Sequence, residues 1–523
     1  MTSITKKIPS NVILLFTILL AVFIVPMSLA GTGIILPAIG QILGEKINIV
    51  SLQWVAAAFN LFFASFTLLW GALADQFGRA KTFTIGCLMF AIASVASGLA
   101  SNGYMLDTAR AFAGIGAAAV FACGPAILSN NFSGHALTRA FALFGSVAGT
   151  GVAFGPTMAG MLLHIFGWQS VFYTHAIALV LVTVFSLTFK EKHVRPNYHA
   201  GFDWLGSALF VVGLFALMFA IVQSSQWGVF SIPIVSILIG VVILFVIFIY
   251  REKRYRAPML HLGILKERVF LAMTLVPVVL AFCYVTIILY LPIYLMSVLQ
   301  FNPVDAGMAI ILLTGPVFVL PFLSSKLIQM GLTPKIIISI AMGFMLLSIF
   351  SLQTIHPSSS VLGIAFPMLM GGIAMGLSFG TVDGVALSII PEEKSGMAAG
   401  LLNTFRLGSE AIAITIFASV FTSTLYANLS SVGVTLVGTE HLSAWLNAIA
   451  EGHVKVSLNS FRETNIALQQ YATQQAIISY DKAFHITLWV MSGIGVILTT
   501  WILKLLKSPS RSLKSESVSE PIL

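Results

Sequence analysis

The sequence predicts an integral membrane protein built from α-helices, with fourteen membrane-spanning segments. Three observations predict this class: 58% of the 523 residues are hydrophobic, only 9% are charged, and the apolar residues form long runs without alternation. Soluble domains carry about 25% charged residues. A helix needs about 20 apolar residues to cross a bilayer, whereas barrel strands would alternate over about ten residues. The fold class is therefore all-α and membrane-embedded.

Fourteen apolar runs are long enough to cross a membrane, and polar segments separate them. They lie at roughly 12–38, 53–73, 82–101, 105–128, 138–163, 168–189, 204–223, 229–250, 269–298, 305–329, 335–354, 360–390, 395–425 and 484–506. The runs at 269–298, 360–390 and 395–425 exceed the thickness of one bilayer. We expect those three helices to tilt, kink or project from the membrane.

Basic residues mark one side of the membrane. Short loops such as 101–105, 224–228 and 356–360 carry almost no Lys or Arg, whereas the alternate loops are basic. The positive-inside rule makes the basic side cytoplasmic, and an even number of spans then places both termini there. We expect a multi-pass protein of the plasma (cytoplasmic or inner) membrane. The residues on the basic side include Lys6, Lys7, Arg79, Lys81, Arg139, Lys190, Lys192, Arg195, Arg251, Arg268, Lys335, Lys394, Lys504 and Lys507.

Composition and motifs argue against several other classes of protein. The formal net charge is +9, but the basic residues lie beside the spans rather than in one patch, so we expect no nucleic-acid partner. Cys87, Cys123 and Cys283 fall inside apolar spans without CxxC spacing, which argues against a disulfide framework or a metal site. The chain has no phosphate-cradling GxxxxGK[ST], and its ten histidines lack HExxH spacing. We expect no cofactor and no enzymatic activity.

A charged run, GALADQFGRAK at 71–81, lies between the second and third spans. Asp75, Arg79 and Lys81 are costly in hydrocarbon, and Gly71 and Gly78 permit a sharp turn, so the run must form a loop at the membrane surface. The run resembles the signature loop of the major facilitator superfamily, in the position where that family carries it. The resemblance implies that Asp75 and Arg79 make interhelical charge contacts, which lock the cytoplasmic side in one state and release it in the other.

The fourth span contains an arginine, Arg110, within the small-residue stretch 106–126. A guanidinium in the membrane costs about 2.5–3.5 kcal/mol on insertion scales, so Arg110 needs a partner or a water-filled cavity. The stretch resembles the superfamily's Arg-x-x-x-Gly-x-Gly motif, in which the arginine is implicated in proton coupling. The alternative is a structural arginine bonded to backbone carbonyls.

The fifth span is rich in glycine, with GSVAGTGVAFGPTMAG at 145–160. Gly151 and Gly155 lie one turn apart and offer a flat face for helix packing, and Pro156 frees a carbonyl and bends the helix. The string resembles the antiporter motif of the superfamily, which closes on a glycine pair; Gly160 is retained and Ala159 replaces its neighbour. This resemblance implies export rather than import.

Four further stretches, at 52–61, 167–173, 258–270 and 396–413, resemble the 14-span drug:proton antiporter branch of the superfamily. That branch has two six-helix halves with two additional helices between them. Two departures stand out: Ser28 occupies the position where the branch commonly has an aspartate, and Gln169 and His175 replace the usual arginine and asparagine.

The resemblance implies a division of the chain into five regions. The segment 426–483 is polar with helical-looking stretches, and we expect an extracytoplasmic loop that either covers the exit path or is an inert spacer. The regions are a cytoplasmic N-terminus (1–11), the N-terminal half (12–189), the two central helices with cytoplasmic loops (190–268), the C-terminal half containing that loop (269–506) and a disordered cytoplasmic tail (507–523).

The remaining intramembrane charges are the candidates for proton binding. Glu410, in the thirteenth span, lies four residues after Arg406 and therefore on the same helical face. Asp383 lies in the twelfth span. A carboxyl group in a low-dielectric site can exchange protons near neutral pH, as proton-coupled transport requires. Alternatively, either acid forms a permanent structural bridge with Arg406.

These observations predict a proton-coupled secondary active transporter that exports small amphipathic or cationic compounds by alternating access. Its partners would be a small-molecule substrate, protons and the lipid bilayer, and we expect it to act as a monomer. Alternatives are an exporter of an endogenous metabolite or siderophore, or an importer on the same scaffold. A membrane-bound enzyme would need catalytic residues clustered at one face, whereas the histidines are scattered.

Overall fold

The computed structural model describes residues 10–43, 49–189, 202–228, 231–255, 258–301, 303–359, 361–452 and 466–507. Its regular elements are helical throughout these ranges. In chain order the helices are α1 (Ser10–Leu43), α2 (Ile49–Phe77), α3 (Arg79–Gly98), α4 (Gly103–Asn131), α5 (Gly134–Phe166), α6 (Gln169–Ser186), α7 (Trp204–Trp227), α8 (Ile232–Glu252), α9 (Arg268–Leu280), α10 (Thr286–Ser297), α11 (Pro303–Gln329), α12 (Pro334–Ser351), α13 (Val361–Ser378), α14 (Thr381–Ser388), α15 (Ser395–Ala450) and α16 (Ile466–Lys507).

Fourteen spans in the described residues are long and apolar enough to cross a membrane. This finding confirms the predicted fold class, with six spans in α1–α6, two in α7 and α8, and six in α9–α16. The chain ends at 1–9 and 508–523, including nearly all of the predicted tail, lie outside the described residues, as does most of the loop before α7.

The three over-long runs are accommodated in three different ways. A short π-helical segment, Ala281–Val285, joins α9 to α10 within one span. The next long run breaks at Gly380, whose positive φ of 77° suits glycine, and this break separates α13 from α14. The third run continues far beyond its predicted end, because α15 extends to Ala450 with a kink at Gly438. The second run is therefore interrupted and the third extends beyond its predicted end, whereas the first runs through a π-helical segment.

The described part of the segment 426–483 is mostly helical, in line with its helical-looking stretches. The last turns of α15 and the first turns of α16 account for it, and residues 453–465 lie outside the described residues. Trp445 is fully buried, and a Cβ at Gly433 would lie 2.8 Å from its ring. The Ser297 hydroxyl at the end of α10 donates to the Gly452 carbonyl at 2.9 Å. The segment is therefore packed against the C-terminal half rather than extended away from it.

Buried apolar side chains form one large cluster and two smaller ones. The large cluster runs through the helices from α7 to α16 and reaches α2 and α5. The two smaller clusters lie among α1–α6. The two central helices therefore share a core with the C-terminal half, and the N-terminal half contacts it mainly through α2, α4 and α5.

Candidate functional site

The carboxylate of Asp75, at the end of α2, binds the first turn of α15. Its Oδ1 accepts a hydrogen bond from the Gly396 amide at 2.9 Å, and its Oδ2 accepts one from the Met397 amide at 2.7 Å. Amides in the first turn of a helix have no intrahelical partner and carry the positive end of the helix dipole. A single carboxylate therefore fastens the N-terminal half to the C-terminal half.

Arg79 completes this contact from the start of α3. Its Nη2 forms an ion pair with Asp75 at 2.8 Å and also donates to the Glu392 carbonyl. The predicted charged loop is shorter than expected, because α2 continues to Phe77 and only Gly78, with φ 105°, interrupts the helix before Arg79. We call the set Asp75, Arg79, Glu392, Gly396 and Met397 the interhalf latch.

Glycine allows the close approach of the backbones at the interhalf latch. A Cβ at Gly71 would collide with the Gly396 carbonyl, and a Cβ at Gly400 would lie 2.8 Å from the Thr67 carbonyl. Lys81 lies exposed on the first turn of α3. The sequence did not predict the latch partners on α15. The stretch PEEKSG at 391–396, where α15 begins, has the acidic and serine residues typical of a helix start.

Arg110 is fully buried in α4, and neutral groups surround it. Its Nε donates to the Val55 carbonyl and its Nη1 to the Ser28 hydroxyl, both at 3.1 Å. The guanidinium carbon lies 4.4 Å from the centre of the Phe59 ring and 5.6 Å from that of Phe172. Arg110 forms no ion pair within the described part of the chain. Ser28 is thus itself a hydrogen-bond partner of this arginine.

Asp383 and Arg406 form an ion pair in the C-terminal half. The distance from Arg406 Nη2 to Asp383 Oδ2 is 3.0 Å, and the side chains are 14% and 1% exposed. Arg406 Nη1 also donates to Asn403 Oδ1 at 2.7 Å, and the Asn403 amide donates to the Phe121 carbonyl of α4 at 3.0 Å. An ion pair with Arg406 is therefore present for Asp383, and Asn403 ties it to the N-terminal half.

Glu410 lies one turn after Arg406 on α15 but does not bind it. The side chain is half-buried, and it makes neither a hydrogen bond nor an ion pair with any residue that the structure describes. The spacing of four residues pointed to Arg406 as its partner. The arginine instead turns to Asp383, because the break at Gly380 brings the start of α14 beside α15.

The glycine-rich face of α5 packs on α1. A Cβ at Gly151 would lie 2.5 Å from the Phe23 carbonyl, and one at Gly155 would lie 2.9 Å from the Met27 carbonyl. Gly160 differs, because the nearest atom to its Cβ position is a methyl group of Ile34 at 3.9 Å. Pro156 lies inside the continuous helix α5. The packing role predicted for this stretch is therefore carried by Gly151 and Gly155.

The comparisons with known proteins agree on one family. The family model described as Major Facilitator Superfamily matches residues 18–414. Multidrug resistance protein Stp of Mycobacterium tuberculosis (strain CDC 1551 / Oshkosh) is 27% identical over 406 residues, which are 77% of this chain and 71% of that protein. Puromycin resistance protein pur8 of Streptomyces alboniger is 27% identical over 442 residues, 82% of this chain and 86% of that protein.

A third relative and a solved structure widen the comparison. Riboflavin transporter RibZ of Clostridioides difficile (strain 630) is 25% identical over 386 residues, 73% of this chain and 82% of that protein. The proton:xylose symporter XylE, solved with bound 6-bromo-6-deoxy-D-glucose, superimposes with a TM-score of 0.59 at 14% identity, covering 97% of this chain and 98% of that one. The structural likeness concerns the fold, and the named substrates of these proteins differ.

Proposed function

Because the chain belongs to the major facilitator superfamily, we propose that it is a proton-coupled exporter of small amphipathic or cationic compounds, working by alternating access. It is a membrane transporter rather than an enzyme. Relatives named for multidrug and puromycin resistance support efflux of foreign compounds. In this proposal the protein is a monomer in the plasma membrane with both termini cytoplasmic.

The observation that carries the proposal is the unpaired carboxyl of Glu410 beside a complete ion pair. Proton coupling requires an acid that can gain and lose a proton within the transport cycle. The Asp383 carboxylate is paired with Arg406 at 3.0 Å and supplies the negative charge of that ion pair. Glu410 has no such partner among the described residues and can change its charge without breaking a contact.

The proposed cycle uses Glu410 as the exchanging acid. Glu410 takes a proton from outside, the substrate leaves as protonation proceeds, and the return to the inward-facing state releases the proton to the cytoplasm. Arg406 lies one turn from Glu410 and is bound to Asp383. A switch of Arg406 from Asp383 to Glu410 would leave Asp383 without its partner, so Asp383 is the second acid of the proposed cycle. Arg110 contributes a fixed positive charge in the other half.

The interhalf latch fits a rocking motion of the two halves. Its bonds between Asp75 and the first turn of α15 close the end of the molecule that carries Arg79 and Lys394. Opening that end would break the hydrogen bonds of Asp75 and Arg79 to the other half, so the latch stabilises the state in which that end is closed. The packing of α5 on α1 through Gly151 and Gly155 supports export, because the antiporter motif implies that direction.

An efflux assay tests the proposal. The chain is expressed in a host that lacks its own pumps, and the efflux of cationic dyes, zwitterionic antibiotics and metabolites is followed with and without a protonophore. We expect protonophore-sensitive efflux of at least one cationic or amphipathic compound. Failure of every such compound to be exported in that way would contradict the proposal.

A second candidate function is the export of an endogenous metabolite, or import on the same scaffold. The relative named as a riboflavin transporter favours it, as does Ser28 in the place of the usual acid. The same panel separates the two functions, because transport confined to the metabolites would favour this second candidate.

A further inference from the structure

The two central helices meet in a buried charged cluster at their ends. Asp203 caps α7: its Oδ1 accepts hydrogen bonds from the Gly206 amide and from Arg251 Nε, both at 2.8 Å. The Asp203 side chain is completely buried, whereas that of Arg251 is 28% exposed. Arg251 lies near the end of α8, so this ion pair holds the start of one central helix to the end of the other.

A second carboxyl enters the same cluster. Glu252, the last residue of α8, is 5% exposed, and its Oε2 accepts a hydrogen bond from the Leu260 amide at 3.2 Å. Glu252 therefore fastens the segment that follows the central helices. We call residues 258–261 the linker strap.

One oxygen of each carboxyl has no hydrogen-bond partner. Asp203 Oδ2 and Glu252 Oε1 are both buried and unpaired. They face the same small space above Gly206, because a Cβ there would collide with Asp203 Oδ2 and would lie 3.0 Å from Glu252 Oε1. Of these two buried acids, Asp203 alone is paired with the guanidinium of Arg251. Ionising both acids places like charges side by side in a low dielectric, and a proton on Glu252 removes that repulsion.

The linker strap connects this cluster to the interhalf latch. The His261 amide donates to Met397 Sδ at 3.3 Å, and the Met397 amide donates to Asp75 Oδ2 at 2.7 Å. Hydrogen bonds therefore run from Glu252, through two adjacent residues of the strap, to the first turn of α15 and the end of α2. A change of charge at Glu252 therefore alters the hydrogen bond by which Glu252 holds the linker strap.

The other charged groups near the cluster do not neutralise its excess negative charge. Arg251 bonds to Asp203 and has the Tyr255 ring 4.7 Å from its guanidinium carbon. His261 in the strap faces Lys394, and burial together with this lysine lowers the pKa of His261. The histidine is therefore neutral near neutral pH, and Arg251 is the cation paired with Asp203.

We propose that Glu252, facing Asp203, is a proton-binding site, distinct from Glu410, that controls the interhalf latch. With a proton on Glu252 Oε1, an O–H···O bond to Asp203 Oδ2 joins the central helices and keeps the linker strap on α15. Loss of that proton to water leaves two facing carboxylates, which separate and loosen the strap. The latch is then more stable at acidic than at alkaline pH on its own side of the membrane.

Hydrogen–deuterium exchange of the purified full-length protein tests this site. Protection of peptides covering 258–262 and 394–400 is followed from mildly acidic to mildly alkaline pH, after correction for intrinsic exchange rates. We expect protection in the wild type to fall at least about threefold as pH rises, because opening of the strap exposes its amides. Glu252→Gln should stay protected throughout, since its amide group can donate to Asp203 Oδ2 as the proton would.

Controls make the result specific. Glu440→Gln changes an exposed carboxyl elsewhere and should follow the wild type. Asp203→Asn, whose amide group can donate to Glu252 Oε1, gives the same test should Glu252→Gln fail to fold. Protection that does not depend on pH in the wild type, or a Glu252→Gln protein that loses protection as the wild type does, would overturn the proposal. Recovery of protection by sodium ions at constant alkaline pH would also overturn it, because the ligand would then be a metal cation.

Discussion

The two halves of the molecule surround two arginines within their spans, Arg110 and Arg406, in opposite ways. In the N-terminal half, Arg110 is held by a carbonyl, the Ser28 hydroxyl and two aromatic rings, with no ion pair in the described residues. In the C-terminal half, Arg406 has Asp383 as its partner and Glu410 one turn away. The Arg110 site therefore stabilises a cation without an acid, whereas the Arg406 site has one acid more than its ion pair uses.

This difference assigns distinct tasks to the two clusters. A guanidinium stays protonated in proteins, so in the proposed mechanism the Arg110 cluster carries a constant charge. The second acid of the C-terminal half can change charge while the Asp383 pair stays intact. The proposed proton exchange therefore belongs to the C-terminal half, although the family's usual acid would have placed it in α1.

The largest expected effect is the loss of coupling in Glu410→Gln. In proteoliposomes with an imposed gradient of one pH unit, each coupled proton can sustain a substrate gradient of about tenfold. We expect the wild type and Glu440→Gln to accumulate a compound identified in the efflux assay, and Glu410→Gln to equilibrate it without accumulation. Accumulation by Glu410→Gln at the wild-type level would place the exchanging acid elsewhere.

Asp383→Asn should instead reduce stability. Breaking a buried ion pair leaves the Arg406 charge uncompensated and costs about 3 kcal/mol. We expect a clearly lower midpoint of thermal unfolding for the purified protein in detergent, with partial recovery when Arg406→Gln is added. Glu410→Gln should keep the wild-type midpoint. Equal midpoints for Asp383→Asn and the wild type would remove the distinction between the two acids.

The glycines of α5 test the packing of the N-terminal half. Gly151→Ala places a methyl group 2.5 Å from the Phe23 carbonyl, and such overpacking costs about 2 kcal/mol. Gly160→Ala is the matched control, because its nearest neighbour is 3.9 Å away. The midpoint of thermal unfolding should be lower than that of the wild type for Gly151→Ala and equal to it for Gly160→Ala. The same fall in both variants would show that the helix face has no special role.

The smallest effect is expected for Ser28→Ala. The change removes one hydrogen bond to a charged donor, worth about 1.5 kcal/mol, while the Val55 carbonyl and the two rings still hold Arg110. A slightly lower unfolding midpoint with unchanged proton coupling is expected. Loss of coupling in Ser28→Ala would show that the N-terminal half takes part in proton exchange after all.

Hydropathy was enough to predict the spans, because each must supply an apolar run as long as the bilayer is thick. The hydrogen-bond and ion-pair partners of the charged residues could be identified only from the tertiary structure. Helical spacing predicted that Arg406 shares a face with Glu410, yet the break at Gly380 brings Asp383 to the arginine from another helix. Likewise, Asp75 accepts a hydrogen bond from the Gly396 amide across a separation of 321 residues, which no local sequence pattern encodes.

Proton release on substrate binding tests the central claim most directly. A compound identified in the efflux assay is added to purified protein in weakly buffered detergent solution, and the pH change is read with an indicator dye. The account predicts that the wild type and Asp383→Asn release protons on binding, and that Glu410→Gln binds the compound without releasing any. Undiminished release from Glu410→Gln would contradict the assignment of Glu410 as the exchanging acid.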